Sequence, residues 1–252
     1  MDINDVRSRA QFYQKNYLET FYLISTYSGK SFILIGEREN FPHLMGIKKA
    51  VYNSNGYRSP KILYRDILMG NPISNKIIPN NISSTSKMYK KVLNFESSTD
   101  IFWNNNGPLA VNFDSAKSGT KLANVDILIT DIKKGYMLGW TKNTSININA
   151  EISLLKYCIS TWIDESDGSI AGKEKYLPLQ KVDLIRSVFA FDKNSELIKQ
   201  KEYKYNSTMK KEILEIVERN KADLLLDKRN QHYYAGIAHT ENVHCIINGI
   251  QY

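Results

Sequence analysis

Of the four histidines in this 252-residue chain, His43 stands apart, in the stretch NFPHLMGIKK at residues 40–49. An imidazole titrates near neutrality, so it can take or give a proton under ordinary conditions. The residues around it read as a helix over 41–53, with Asn40 as cap and Pro42 suited to the first turn. His43 then sits at the positive end of the helix dipole, which disfavours the imidazolium and attracts phosphate. On such a helix Leu44, Ile47 and Val51 share the core stripe. Gly46 and Ala50 lie beside His43 on a lane with almost no side-chain bulk, where another element can pack closely or a substrate can reach the ring. The chemistry offered is general acid–base catalysis on an anion. The alternative is a first-turn histidine bonded only to its neighbours.

Other residues with chemical potential offer less. His232, His239, His244 and Cys245 cluster near the C-terminus, but strand alternation puts His244 and Cys245 on opposite faces. Tetrahedral zinc would need ligands converging from two strands, so ordinary strand histidines are the better reading and no metal site is expected. Cys158 and Cys245 form no C-x-x-C and read as two reduced, buried thiols. Asp114, Asp126, Asp131 and Asp164 are the acids a metal-dependent nuclease would recruit, yet no E-x-K follows on a neighbouring strand. No P-loop, no G-x-G-x-x-G after a strand and no G-x-S-x-G occurs, so no cofactor is expected.

The elements that must position His43 read as follows. Residues 3–17 form a helix, with Val6, Ala10, Tyr13 and Tyr17 near helical spacing. TFYLISTYSGKSFILIG gives a hairpin turning at Ser28-Gly29-Lys30. SPKILYRDILMGN, 59–71, is a helix capped by Ser59, with Pro60 inside its start and Gly70 past its end. A loop over 71–84 and a short helix over 85–95 follow. GPLAVNF, NVDILIT and GYMLGW are strands, and AEISLLKYCI is a strand or a short helix. The polar stretch 164–175 reads as a linker. Beyond it come a hairpin, a helix with Ile213, Ile216, Val217 and Leu224 on one side, and a last hairpin. The order predicts an α+β fold, N-terminal helices packed on an antiparallel β-sheet, with an additional C-terminal α+β region. The expected division is 1–162 and 175–252, the second packing either separately or with the first.

Net charge is +8, and 16 tyrosines dominate the aromatic content. Excess positive charge favours an anionic partner, and tyrosines add stacking surface for unpaired bases. No run approaches the length of a membrane span, and the N-terminus lacks a secretory pattern, so a cytoplasmic protein is expected.

The segments FYLISTYSGKSFILI and ENFPHLMGIKKAVYNSNGYRSPKILYRDILMGN resemble one class of the phage barnase–EndoU–colicin–RelE-like (BECR) nucleases. Its members share a helix, a hairpin, an N-F-x-H-L-x-G motif and a Ser-Pro/Tyr helix. DILITDIKKGYMLGW and EISLL resemble the family's closing hairpin and final strand, and the likeness covers roughly residues 1–160. It implies a compact α+β fold and metal-independent RNA cleavage, in which the ribose 2′-hydroxyl attacks the adjacent phosphate. His43 would then be the acid or base. Ser153 or Thr141 would bond a phosphate oxygen, and Arg58, Lys61 and Arg65 would supply positive charge. No second histidine lies within 1–160, so the second catalytic group must be of another type, with Tyr136 the named candidate. The implied partner is RNA, tRNA or mRNA. A toxin or phage-defence role would bring a neutralising protein partner, and 175–252 would position substrate, regulate or form a homodimer. Two other classes stay open: a non-catalytic nucleic-acid-binding module on the same fold, and a metal-dependent DNA endonuclease.

Overall fold

The structure is a computed structural model. It describes residues 1–103, 109–118, 122, 124–131, 135–143, 151–152, 155–164, 176–225, 245–247 and 250–251. Helix α1 (Ile3–Tyr13) starts on a reciprocal cap: the Asp2 carboxylate accepts from the Asn4 amide at 2.7 Å, and the Asp5 carboxylate accepts from the Asp2 amide at 2.7 Å. It buries Val6, Ala10 and Tyr13, and a π-helical turn (Gln14–Leu18) carries on to bury Tyr17. The hairpin follows as β1 (Thr20–Thr26) and β2 (Ser31–Ile35), with Gly29 at positive φ in the turn.

The expected antiparallel sheet is instead a mixed, closed seven-strand barrel. Its remaining strands are β3 (Leu109–Asn112), β4 (Ile127–Asp131), β5 (Tyr136–Lys142), β7 (Leu155–Asp164) and β8 (Lys181–Asp192). The sheet order runs β1, β2, β7, β5, β4, β3, β8 and returns to β1. Strand β2 pairs parallel with β7, a pairing that the long excursion between them permits. The long strand β8 closes the ring. Its first residues pair with β3 from Lys181 to Leu184, and the rest pair with β1 from Ile185 to Asp192. Buried Asp183 fastens this seam, accepting hydrogen bonds from the Ser28 hydroxyl and, at 3.3 Å, the Ser28 amide. AEISLLKYCI is extended, ending in β7 after the short β6 (Glu151–Ile152).

Past the barrel, β9 (Leu197–Glu202) forms the expected hairpin with β8. The following helix stops at Arg219, earlier than the sequence pattern predicts: the Asn220 side chain bonds the Ile216 carbonyl at 2.8 Å and Lys221 turns to positive φ. Leu224 therefore lies in a short strand (Asp223–Leu224) parallel to β8, not on the helix. Strands at Cys245–Ile247 and Ile250–Gln251 pair antiparallel, and the first also pairs with β6. His232, His239 and His244 lie outside the described residues.

The expected helix over 41–53 is two helices, α2 (Phe41–Leu44) and α3 (Lys49–Ser54). Gly46 breaks it at φ +80°. The Ile47 amide reaches back to the Pro42 carbonyl at 2.8 Å and the Gly46 amide to the His43 carbonyl at 2.9 Å, the pairing that ends a helix on a left-handed glycine. Helix α4 (Pro60–Met69) ends by the same device at Gly70, where the Asn71 amide bonds the Asp66 carbonyl at 2.9 Å. Ser59 precedes it, but its side chain makes no capping bond. Helix α5 (Lys87–Leu93) is capped by Ser86.

Candidate active site

His43 is the one exposed residue of the single turn α2, whose other residues are buried against an aromatic floor. Beneath α2, the Tyr13 ring lies 5.4 Å from Tyr17, 5.4 Å from Phe41, 6.0 Å from Tyr64 and 6.2 Å from Phe95. The Tyr13 hydroxyl donates to the Glu37 carbonyl at 2.8 Å and accepts from the Glu37 amide at 3.1 Å. Gly36 presses against the same helix: a Cβ there would stand 2.8 Å from the Tyr13 oxygen and from the Tyr17 Cβ. The loop that enters α2 is thus pinned at its start to α1. The Glu37 carboxylate accepts from Asn143 at 2.7 Å, tying the loop to the end of β5.

The lane beside His43 is filled by α5. A Cβ on Gly46 would lie 3.3 Å from the Met88 Cα and 3.4 Å from the Lys91 Cδ. The glycine therefore serves close packing, and that packing sets Lys91 near enough for its charge to act on the histidine. Arg9 of α1 holds the far end of α5, donating to the Val92 carbonyl at 2.8 Å and pairing with Glu96. Cations at a helix C-terminus satisfy its last carbonyls.

Electrostatics set the two groups apart from ordinary surface residues. The His43 pKa is held below the usual imidazole value, first by loss of hydration and second by the positive charge of Lys91. The expected cause was the dipole of a long helix, but α2 is one turn, so that contribution is small. Lys91 is pushed down to about 8, mainly by burial and then by Lys87 one turn away on the same helix face. At neutral pH the imidazole is mostly neutral and the ammonium still mostly protonated. A mostly neutral imidazole and a lysine of lowered pKa thus lie within electrostatic reach of each other.

The other expected residues fall in different places. Lys61 pairs with Glu39 at 2.9 Å, bracing the loop before α2 against the start of α4. Arg58 is exposed on the loop after α3, and Arg65 is exposed on α4, 3.5 Å from Asp66. The Thr141 hydroxyl donates to the Asn124 carbonyl and keeps its lone pairs for another donor. The Tyr136 ring packs on Trp162 at 5.3 Å, and no hydrogen bond joins it to His43 among the described residues. Ser153 lies outside the described residues. Cys158 is buried with its thiol pushed up to about 12, chiefly by burial, which keeps it protonated and unreactive. Among the described residues no group of three or more His, Cys, Asp or Glu side chains is placed to hold a metal ion.

Lys91 is invisible to sequence reasoning. KMYKKVL offers adjacent lysines on a short helix, and only the docking of α5 onto Gly46 singles one out. A family model, described as phage-Barnase-EndoU-ColicinE5/D-RelE like nuclease4, matches residues 5–205. The chain belongs to this family. The match to the BECR-like nuclease model spans most of α1, the His43 motif, α5, the seven barrel strands and β9. No curated protein and no solved structure matches the chain. Among the described residues no helix is long and apolar enough to cross a membrane.

Proposed function

We propose that this BECR-like nuclease is a metal-independent endoribonuclease in which His43 and Lys91 move the protons. The observation that carries the reading is their pairing: an exposed, predominantly neutral imidazole beside a half-buried lysine pushed down to about 8. Neutral His43 takes the proton of the ribose 2′-hydroxyl as that oxygen attacks the adjacent phosphorus. Lys91 gives a proton to the departing 5′-oxygen, and its charge offsets the charge gathering on the phosphoryl oxygens. The products are a 2′,3′-cyclic phosphate and a free 5′-hydroxyl, so protons and bonds balance with no other reactant. Arg58, Lys61, Arg65 and Thr141 supply further contacts to the RNA backbone, and Ser153 keeps the phosphate-bonding role that the family likeness gives it. Tyr136 is the weaker choice of proton donor, because its ring is committed to Trp162.

The RNA substrate, tRNA or mRNA, and a phage-borne, toxin or defence setting with a neutralising partner belong to the same proposal. The net charge of +8 and membership of a nuclease family support it. The test is incubation of total tRNA and mRNA with purified protein in EDTA, wild type beside His43→Ala. Cutting by wild type alone, with cyclic phosphate ends, is the expected result. Equal RNA binding by two folded, inactive proteins would replace this reading with that of a binding module. Cutting that EDTA abolishes would replace it with a divalent-metal nuclease.

A further inference from the structure

A second basic feature lies on the other side of α4. Between the π-helical turn after α1, the loop before α2, the outer face of α4 and the β8–β9 turn opens a cavity of about 420 Å³. That volume suits a small organic ligand. Arg38, Arg65 and Lys193 line it against one carboxylate, Glu19. Glu19 is already engaged, accepting from the Gln14 amide at 2.8 Å. Arg38 and Lys193 are exposed and make no hydrogen bond or ion pair among the described residues. Glu19 offsets part of this positive charge and Asp66 lies 3.5 Å from Arg65, which leaves Arg38 and Lys193 as the cations an anion there would neutralise.

The rest of the lining is apolar. Leu68 and Met69 form a wall on α4, and Met69 is 72 % exposed, unusually bare for its type. A nucleotide combines a phosphate for these cations with the flat face of a base for such a wall. We propose that the cavity holds a phosphate-bearing nucleotide, its phosphate between Arg38 and Lys193 and its base against Leu68 and Met69. Arg65 adds a planar face and a forked donor. The nucleotide is either one residue of the RNA strand away from the cut or a free nucleotide. The first source rests on the proposed RNA substrate, and the second does not. Arg38 stands on the same pinned loop that leads to His43, and Tyr64 of the cavity packs on Phe41 at 5.1 Å. A strand anchored here is therefore held by the structure that holds the imidazole.

The test uses two probes: a 2′-O-methyl RNA oligonucleotide, which cannot be cut by 2′-hydroxyl attack, and free uridine monophosphate. The proteins are wild type, Arg38→Ala/Lys193→Ala, and a charge-matched Lys76→Ala/Lys117→Ala control, with thermal melts matched. The expected result is at least tenfold weaker oligonucleotide binding for the cavity variant. Its salt dependence should be shallower by about 0.7 for each phosphate that the variant no longer neutralises, and the control should bind as wild type. Loss of uridine monophosphate binding alone would assign the cavity to a free nucleotide. Wild-type affinity of the cavity variant for both probes, or no binding of either by wild type, would overturn the proposal. Neither probe reports cleavage, so a protein that fails to cut RNA in EDTA leaves this test intact.

Discussion

Lys91 and Arg38 are both cations brought near one histidine-bearing segment, yet their surroundings differ. Lys91 is half-buried, its stem against Gly46, with Lys87 as its charged neighbour. Arg38 stands exposed at the rim of an open cavity. Burial beside like charge weakens the hold of an ammonium on its proton, so Lys91 is suited to giving it up. A guanidinium at an open rim offers a planar fork of donors, so Arg38 is suited to holding an anion without chemistry. On the proposed reading, dehydration divides two basic regions of one small fold into one that reacts and one that binds.

Removing the proton carrier should break this division most severely. His43→Ala is expected to lower the cleavage rate by about 10²–10⁴-fold with RNA affinity nearly unchanged, as read from single-turnover kinetics and anisotropy. Lys91→Ala should cost about 10²-fold or more. Lys91→Arg separates charge from proton donation: arginine keeps the charge but does not release a proton near pH 8. A variant as slow as alanine assigns proton transfer, and rescue to near wild type assigns charge alone. Gly46→Ala should cost about 1–2 kcal/mol in urea unfolding, because an L-residue resists φ +80°. It should also slow cleavage by pushing α5, and with it Lys91, off the glycine. The smallest effect belongs to Tyr13→Phe, which removes both hydroxyl bonds to Glu37 and should cost about 1 kcal/mol by the same measurement.

The two glycine stops show how much of this is legible in the sequence. At Gly70 the helix signal is clean, because a polar Asn- and Pro-containing stretch follows, and the helix ends where that signal places it. At Gly46 the apolar run continues through Ile47 to Val51, so periodicity masks the same left-handed stop. The β1–β2 hairpin and the β4–β5 pair announce themselves by composition and turn residues. Closure of the barrel does not, since it depends on β8 pairing with β1 and β3 at opposite ends of one strand. His43 stands out because its motif is local. Lys91 does not, because its character arises from docking between segments far apart in the chain.

The pH dependence of kcat/KM for RNA cleavage tests the pairing most directly. In the proposed mechanism cleavage needs neutral His43, so the rate should fall as pH drops through a value below 6.5, where the ring protonates. The same mechanism needs protonated Lys91, so the rate should fall again as pH rises through about 8. A bell with those two limbs, its alkaline limb lost in Lys91→Ala, is the predicted result. A rate that climbs steadily past pH 9, or an alkaline limb that survives in Lys91→Ala, would contradict the assignment of Lys91 as the proton donor.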